Sequence, residues 1–193
     1  TGQITLAEAP QHGASGVELD YAFAEWRFSD KARVRMGRAK QPFGLSTEVV
    51  RVGTLRPTLD LPQSIYGGAG LAGVAFEGIG FNGRLPLGRW TLSYDAYGGG
   101  LDIEEFRTPE AFLLGEPVSD ETSRATEVSK HVAGGRLVVE PPLDGVSVGS
   151  SAYVGEEVGA GLRKVLGVHA EFLNGPWSIR SELAYKTVRD DHD

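Results

Sequence analysis

The chain contains no cysteine, which excludes disulfide bridges and thiolate metal sites. It has no apolar run approaching the roughly 18 residues that a membrane-crossing helix needs. That excludes spanning by helices and leaves spanning by strands open, because barrel strands carry only a weak alternating signal. Histidine is scarce: His12, His131, His169 and His192 share no metal-ligand spacing, so no metal and no cofactor is expected. Positive charge is in deficit, with 19 Lys and Arg against 26 Asp and Glu and a net charge of −7, which argues against a nucleic-acid partner. Residue 1 is Thr and no basic-plus-apolar leader precedes the fold, so a signal peptide is expected to lie outside this sequence.

What is present suits an ordered chain. Its 193 residues are 40% apolar and 23% charged, close to folded averages, and 27 glycines favour turns and close-packed strands over helices. Against the acidic background one stretch is basic. From Lys31 through Leu59 there are seven cations (Lys31, Arg33, Arg35, Arg38, Lys40, Arg51 and Arg56) and one acid, Glu48. This stretch begins as a strand, breaks at Gln41-Pro42-Phe43-Gly44, and passes Pro57 and Pro62 before strand-like sequence resumes. Proline cannot donate to a sheet ladder, and long connections without secondary structure are usually functional. The stretch reads as a basic strand feeding a functional loop at about 42–68.

Alternation of period two runs through the rest. Residues 1–16 are polar and turn-rich and read as a loop. Strands are expected over Val17–Phe28, Ala32–Lys40, Leu71–Phe81, Trp90–Gly98, Val132–Glu140, Val146–Val154, Val165–Leu173 and from Trp177 to about Lys186. Short turns are expected at Ser29–Lys31, Arg84–Arg89, Pro141–Gly145 and Asn174-Gly175, and a second long connection at about 101–130. In the first hairpin, Phe28 opposite Ala32 sets Trp26 against Val34, Glu25 against Arg35 and Asp20 against Lys40. A paired bulge near Ala22 and Gly37 is expected to bring Arg38 and Lys40 onto the polar face.

Eight strands of about ten residues, with connections alternating between short and long, match an up-and-down antiparallel transmembrane β-barrel occupying 1–193 as one domain. Sandwich strands are typically about 5–6 residues long. Trp26, Trp90, Tyr94, Trp177 and Tyr185 lie on apolar faces near strand ends, as an interface girdle requires. The opposite faces carry Arg, Glu, Asp and His, which a dry core would not solvate.

The runs GRAKQPFGLSTE, RVGTLRPTLDLPQSIYG, GGRLVVEPPLDGVSVGSSAYVG and WSIRSELAYK resemble Gram-negative outer-membrane porins of the phosphate-selective type. The resemblance implies an outer-membrane location, lipid contact, a homotrimer of sixteen-or-more-stranded barrels, and passage of small hydrophilic or anionic solutes. It also implies that Arg35, Arg38 and Lys40 line the channel wall and that Arg51 and Arg56 sit on a constricting loop. The sequence departs from the family in having about half the expected strands and in ending Arg189-Asp-Asp-His-Asp193, so a piece of a larger barrel is expected.

Enzyme motifs fail on context. Gly68-Ala-Gly70-Leu-Ala-Gly73 has dinucleotide spacing but lacks the preceding strand and following helix that such a site needs. Gly145-Val-Ser147-Val-Gly149 has nucleophile-elbow spacing, with Glu171 and His192 in order, yet Ser147 sits in continuing alternation. Glu171 and Glu182 share a face with Arg180 between them, which suits a charge-balanced wall better than paired-carboxylate chemistry. No catalytic residue is expected. Anion selection is assigned to Arg35, Arg38, Lys40, Arg51 and Arg56, tuned by Glu25, Asp95, Arg136, Glu171, Arg180 and Glu182. The competing readings are a soluble secreted or periplasmic β-sandwich binding a ligand such as a carbohydrate, and a purely structural barrel plugged by side chains.

Overall fold

A computed structural model describes residues 3–8, 17–45, 63–66, 71–73, 75–105, 125–157 and 161–189. They form a single antiparallel sheet in which every strand pairs with its neighbours in sequence. The strands are β1 (Gln3–Glu8), β2 (Val17–Ser29), β3 (Ala32–Lys40), β4 (Ala75–Leu87), β5 (Trp90–Glu105), β6 (Ala125–Glu140), β7 (Val146–Glu157), β8 (Gly161–Asn174) and β9 (Trp177–Arg189). One helical turn, α1 (Gln63–Tyr66), lies between β3 and β4. The sheet runs from β1 to β9 without a pairing between the two.

Strands outrun the sequence reading at several ends. Gln3–Glu8 pairs with β2 inside the segment read as a loop, so the described residues form nine strands where eight were expected. The turn expected over Arg84–Arg89 shrinks to Gly88-Arg89, because Pro86 sits in β4 opposite Thr91 and the ladder continues to Leu87. β5 and β6 extend to Glu105 and from Ala125, shortening the second long connection at both ends. Ladder hydrogen bonds supply the cause: once a partner strand is in register, polar residues join the sheet despite weak propensity.

The short turns lie at one edge of the sheet. Gly88, Gly145 and Gly175 adopt left-handed φ values of 65°, 78° and 56° at three of them, which glycine reaches without a Cβ clash. Beside them on one face stand Trp26, Trp90 and Trp177.

The two faces differ sharply. One carries Trp26, Met36, Phe81, Trp90, Leu137, Val168, Leu183 and Tyr185, all exposed, with Leu183 at 71% and Tyr185 and Trp26 at 69%. The other carries Glu25, Arg35, Asp95, Arg136, Ser151, His169, Glu171, Arg180 and Glu182 at alternate positions of the same strands. In β8 the alternation is strict, with Arg163, Val165, Gly167 and His169 buried and Leu162, Lys164, Leu166 and Val168 exposed. Residues 41–45, α1 and residues 71–73 pack on the second face. Their contact builds the core of Ala39, Phe43, Ile65, Phe76, Tyr97, Leu101, Val132, Tyr153 and Val165. The second face is therefore the covered face and the first the bare face.

A row of glycines brings neighbouring backbones close together on the covered face. Gly37, Gly78 and Gly99 are neighbours across β3, β4 and β5. A Cβ at Gly78 would overlap the Gly98 carbonyl oxygen, and one at Gly99 the Glu77 carbonyl oxygen. Gly37 and Gly99 also have φ of 125° and 152°. Replacing Gly78 by Val should destabilise the fold by roughly 1–3 kcal/mol through overpacking, whereas Gly98→Ala, whose Cβ meets only the Val132 carbonyl oxygen at 3.5 Å, should be tolerated. Urea unfolding followed by tryptophan fluorescence compares them, and equal midpoints would refute the role of the row.

Candidate functional site: the charged face and its covering segment

The chain leaves β3 at Lys40 and turns onto the covered face at once. Gln41 is fully buried; its amide donates to the Tyr97 hydroxyl (2.6 Å) and its carbonyl accepts the Gly73 N–H (2.5 Å). One side chain thus ties the start of the excursion to its end. Phe43, also fully buried, points its ring at Tyr153 (5.8 Å, 78° between planes) and lies over Gly167, where a Cβ would press on the ring. Gly44 donates to Ser151 Oγ (3.0 Å) and its carbonyl accepts from Arg136 (3.2 Å). Leu45 N–H donates to Glu182 (3.3 Å), and the Tyr66 hydroxyl of α1 lies 2.8 and 2.7 Å from the two Glu182 oxygens. On the return, Tyr153 donates to the Leu71 carbonyl (2.5 Å). Gln41, Phe43, Gly44 and Leu45 alone therefore reach β5, β6, β7, β8 and β9.

Toward the short turns the same face is charged. Arg35 holds Glu25 (2.8 Å) and lies 5.2 Å above the Phe23 ring. Arg136 holds Asp95 (3.1 Å) through two nitrogens. Arg84 pairs with Glu140, and Arg180 with Glu171. All four pairs join different strands; three of them lie directly across a ladder, where opposite charges reinforce register, and Arg84–Glu140 spans β4 to β6 over β5. Arg84–Glu140, whose side chains are exposed, is worth about 0–1 kcal/mol, whereas Arg136–Asp95 is largely buried and holds its geometry more firmly. Among the described side chains, Arg33, Arg163 and Lys186 also lie on this face outside the four pairs, as does the carboxylate Glu182.

The face gathers Arg35, Asp95, Arg136, Glu171, Arg180 and Glu182, as well as Glu25, from six different strands. Arg38 is a correction. The β3–β4 ladder runs from Arg33 to Lys40 without a register shift, so the bulge expected near Gly37 does not turn the strand over. Arg38 stays on the bare face with Met36 and pairs with Glu77 (2.8 Å), while Ala39 points into the core. Lys40 ends β3 with its ammonium 5.6 Å from the Tyr21 ring and, like Arg38, does not join the four pairs. Asp20 opposite Lys40, Arg51 and Arg56 fall outside the described side chains. Gln41, Phe43, Tyr66, Arg84, Glu140 and His169 are the additions. Arg84 was hidden in supposed turn sequence, Glu140 ends an expected strand with its partner two strands away, and Phe43 is legible only once Gly167 is known to face it.

Among the described residues no cluster of three or more His, Asp or Glu is arranged for a metal. No protein-family model matches the chain, and neither does a curated protein or a solved structure.

Truncating Phe43 removes the aromatic that seats the segment. Loss of a buried phenylalanine costs about 3–5 kcal/mol where the site cannot collapse. Phe43→Ala should speed amide hydrogen exchange at residues 43–45 while leaving β7 and β8 protected. Unchanged exchange at those amides would show that the ring does not hold the segment down.

Proposed function

We propose that this sheet is wall of an outer-membrane β-barrel porin, through which small hydrophilic, preferably anionic, solutes diffuse past the charged face. One observation carries the reading: large apolar side chains are bare on one face while charged side chains sit on the face that an inward-turned segment covers. A water-soluble sheet buries its apolar face, and bare apolar patches above a few hundred Å² mark a lipid or partner surface. Lipid satisfies this one.

The belt has membrane dimensions. On the bare face of β4 it runs from Leu87 through Leu85, Phe81 and Ile79 to Glu77. Ten residue steps at about 3.3 Å give ~33 Å along the strand, and a tilt of ~45° reduces this to ~23 Å, against an apolar band of ~25 Å in such barrels. Tryptophans mark the turn edge. Arg38–Glu77 (2.8 Å) and His131–Glu156 (3.6 Å) mark the other. Aromatic residues at one boundary and charges at the other fit the two interfaces of a bilayer.

No bond is made or broken in this mechanism. Arginines held by carboxylates keep a fixed geometry, and in this mechanism their guanidinium groups raise the local concentration of anions between low-dielectric walls. The covering segment narrows the route from the long-connection side. A soluble sandwich would require a second apolar layer on the bare face, and none of the described elements lies there.

Two measurements test the reading. In vesicles with brominated acyl chains, Trp26, Trp90 and Trp177 should be quenched; unquenched fluorescence in a protein that stays monodisperse without detergent would favour the soluble sandwich. In planar bilayers, Arg35→Gln and Arg180→Gln should each lower the anion-to-cation permeability ratio. A unit charge ~8 Å from the path contributes ~0.5 kcal/mol in water, or about twofold. Arg38→Gln, on the bare face, should leave the reversal potential alone.

A further inference from the structure

Glu182 stands apart from the other described carboxylates of the charged face. Glu25, Asp95, Glu140 and Glu171 each face an arginine. Glu182 instead accepts from neutral donors, the Tyr66 hydroxyl and the Leu45 N–H. These donors come from the two arms of one excursion, Leu45 from the arm leaving β3 and Tyr66 from the arm returning through α1. Gly44 leaves the space: a Cβ there would overlap both Glu182 Oε1 and the Tyr66 hydroxyl. A charged acceptor makes each such hydrogen bond roughly twice as strong as a neutral one.

We infer that Glu182 is a positioning residue that latches the inward segment, and that the docked segment in turn masks the one described carboxylate of this face that no arginine neutralises. The inference rests on the proposed porin reading and adds a coupling to it. Docked, the segment narrows the passage and covers the Glu182 charge. Released, it widens the passage and leaves that charge facing the solute, next to His169, its cross-strand partner. Aperture and anion preference then change together and in opposite directions.

Two substitutions separate this latch from a carboxylate that merely lines the route. Tyr66→Phe deletes the hydroxyl and keeps the Glu182 charge. With a hydrogen bond to a charged group lost, wide-state openings should become about tenfold more frequent, and anion preference should fall in those openings. Glu182→Gln also weakens the latch but removes the charge, so wide openings should increase while anion preference rises. A simple lining charge predicts no change for Tyr66→Phe, and that result in a conducting channel overturns the latch. Amide hydrogen exchange at Gly44 and Leu45 gives a readout that needs no conduction: acceleration in Tyr66→Phe supports the latch, and parental exchange rates overturn it. A parent protein that fails to conduct while its Tyr66→Phe variant shows faster exchange overturns the porin reading and leaves the latch standing.

Discussion

The structure depends on one constraint: a long antiparallel strand sends successive side chains to opposite sides, so nine paired strands create two surfaces that cannot have the same surroundings. Here every strand with described side chains from β2 to β9 obeys the same assignment, because each ladder transmits its neighbour's phase. Trp26 opposite Val34 and Glu25 opposite Arg35 fix it in the first hairpin, and His169 opposite Glu182 still follows it in the last. A slip of one residue in any strand would put Leu183 or Phe81 among the arginines and an arginine among the tryptophans. On the proposed reading, in which the bare face meets lipid, a cation set there would cost several kcal/mol, which makes the register steep.

The covering segment exploits glycines on the covered face. Gly167 opens the floor for Phe43, and Gly134 opens it for Tyr97 and Tyr153, whose rings or side-chain atoms would collide with a methyl group at that position. Aromatic rings from the sheet and from the segment then fill what the missing side chains vacate, so apolar contact holds the segment while Gln41, Ser151 and Glu182 satisfy its backbone and neighbours. The face is thus divided by height. Near the long connections it is packed around aromatic rings; near the short turns it is charged.

Much of this was legible in the alternation. The existence of β2 to β9, the places of the short turns, Trp26 against Val34 and Glu25 against Arg35 follow from period two and opposite charges. Strand ends were not, because polar residues such as those of Gln3–Glu8 and Thr126–Lys130 join a ladder only through a partner that local sequence does not name. Arg38 misleads for a related reason: the sequence shows a cation where the apolar alternation lapses, and only the unbroken β3–β4 register shows that the strand keeps its phase and that Glu77 supplies the counter-charge. The partners of Glu182 lie 116 and 137 positions away, a separation that periodicity does not encode.

The count of strands carries its own arithmetic. Neighbours alternate in direction across the nine described strands, so the first and the ninth point the same way. Joining those two margins directly would make a parallel seam in an otherwise antiparallel weave. A cylinder with opposed neighbours all the way round has an even total, so this sheet can complete one only by taking in an odd number of additional strands.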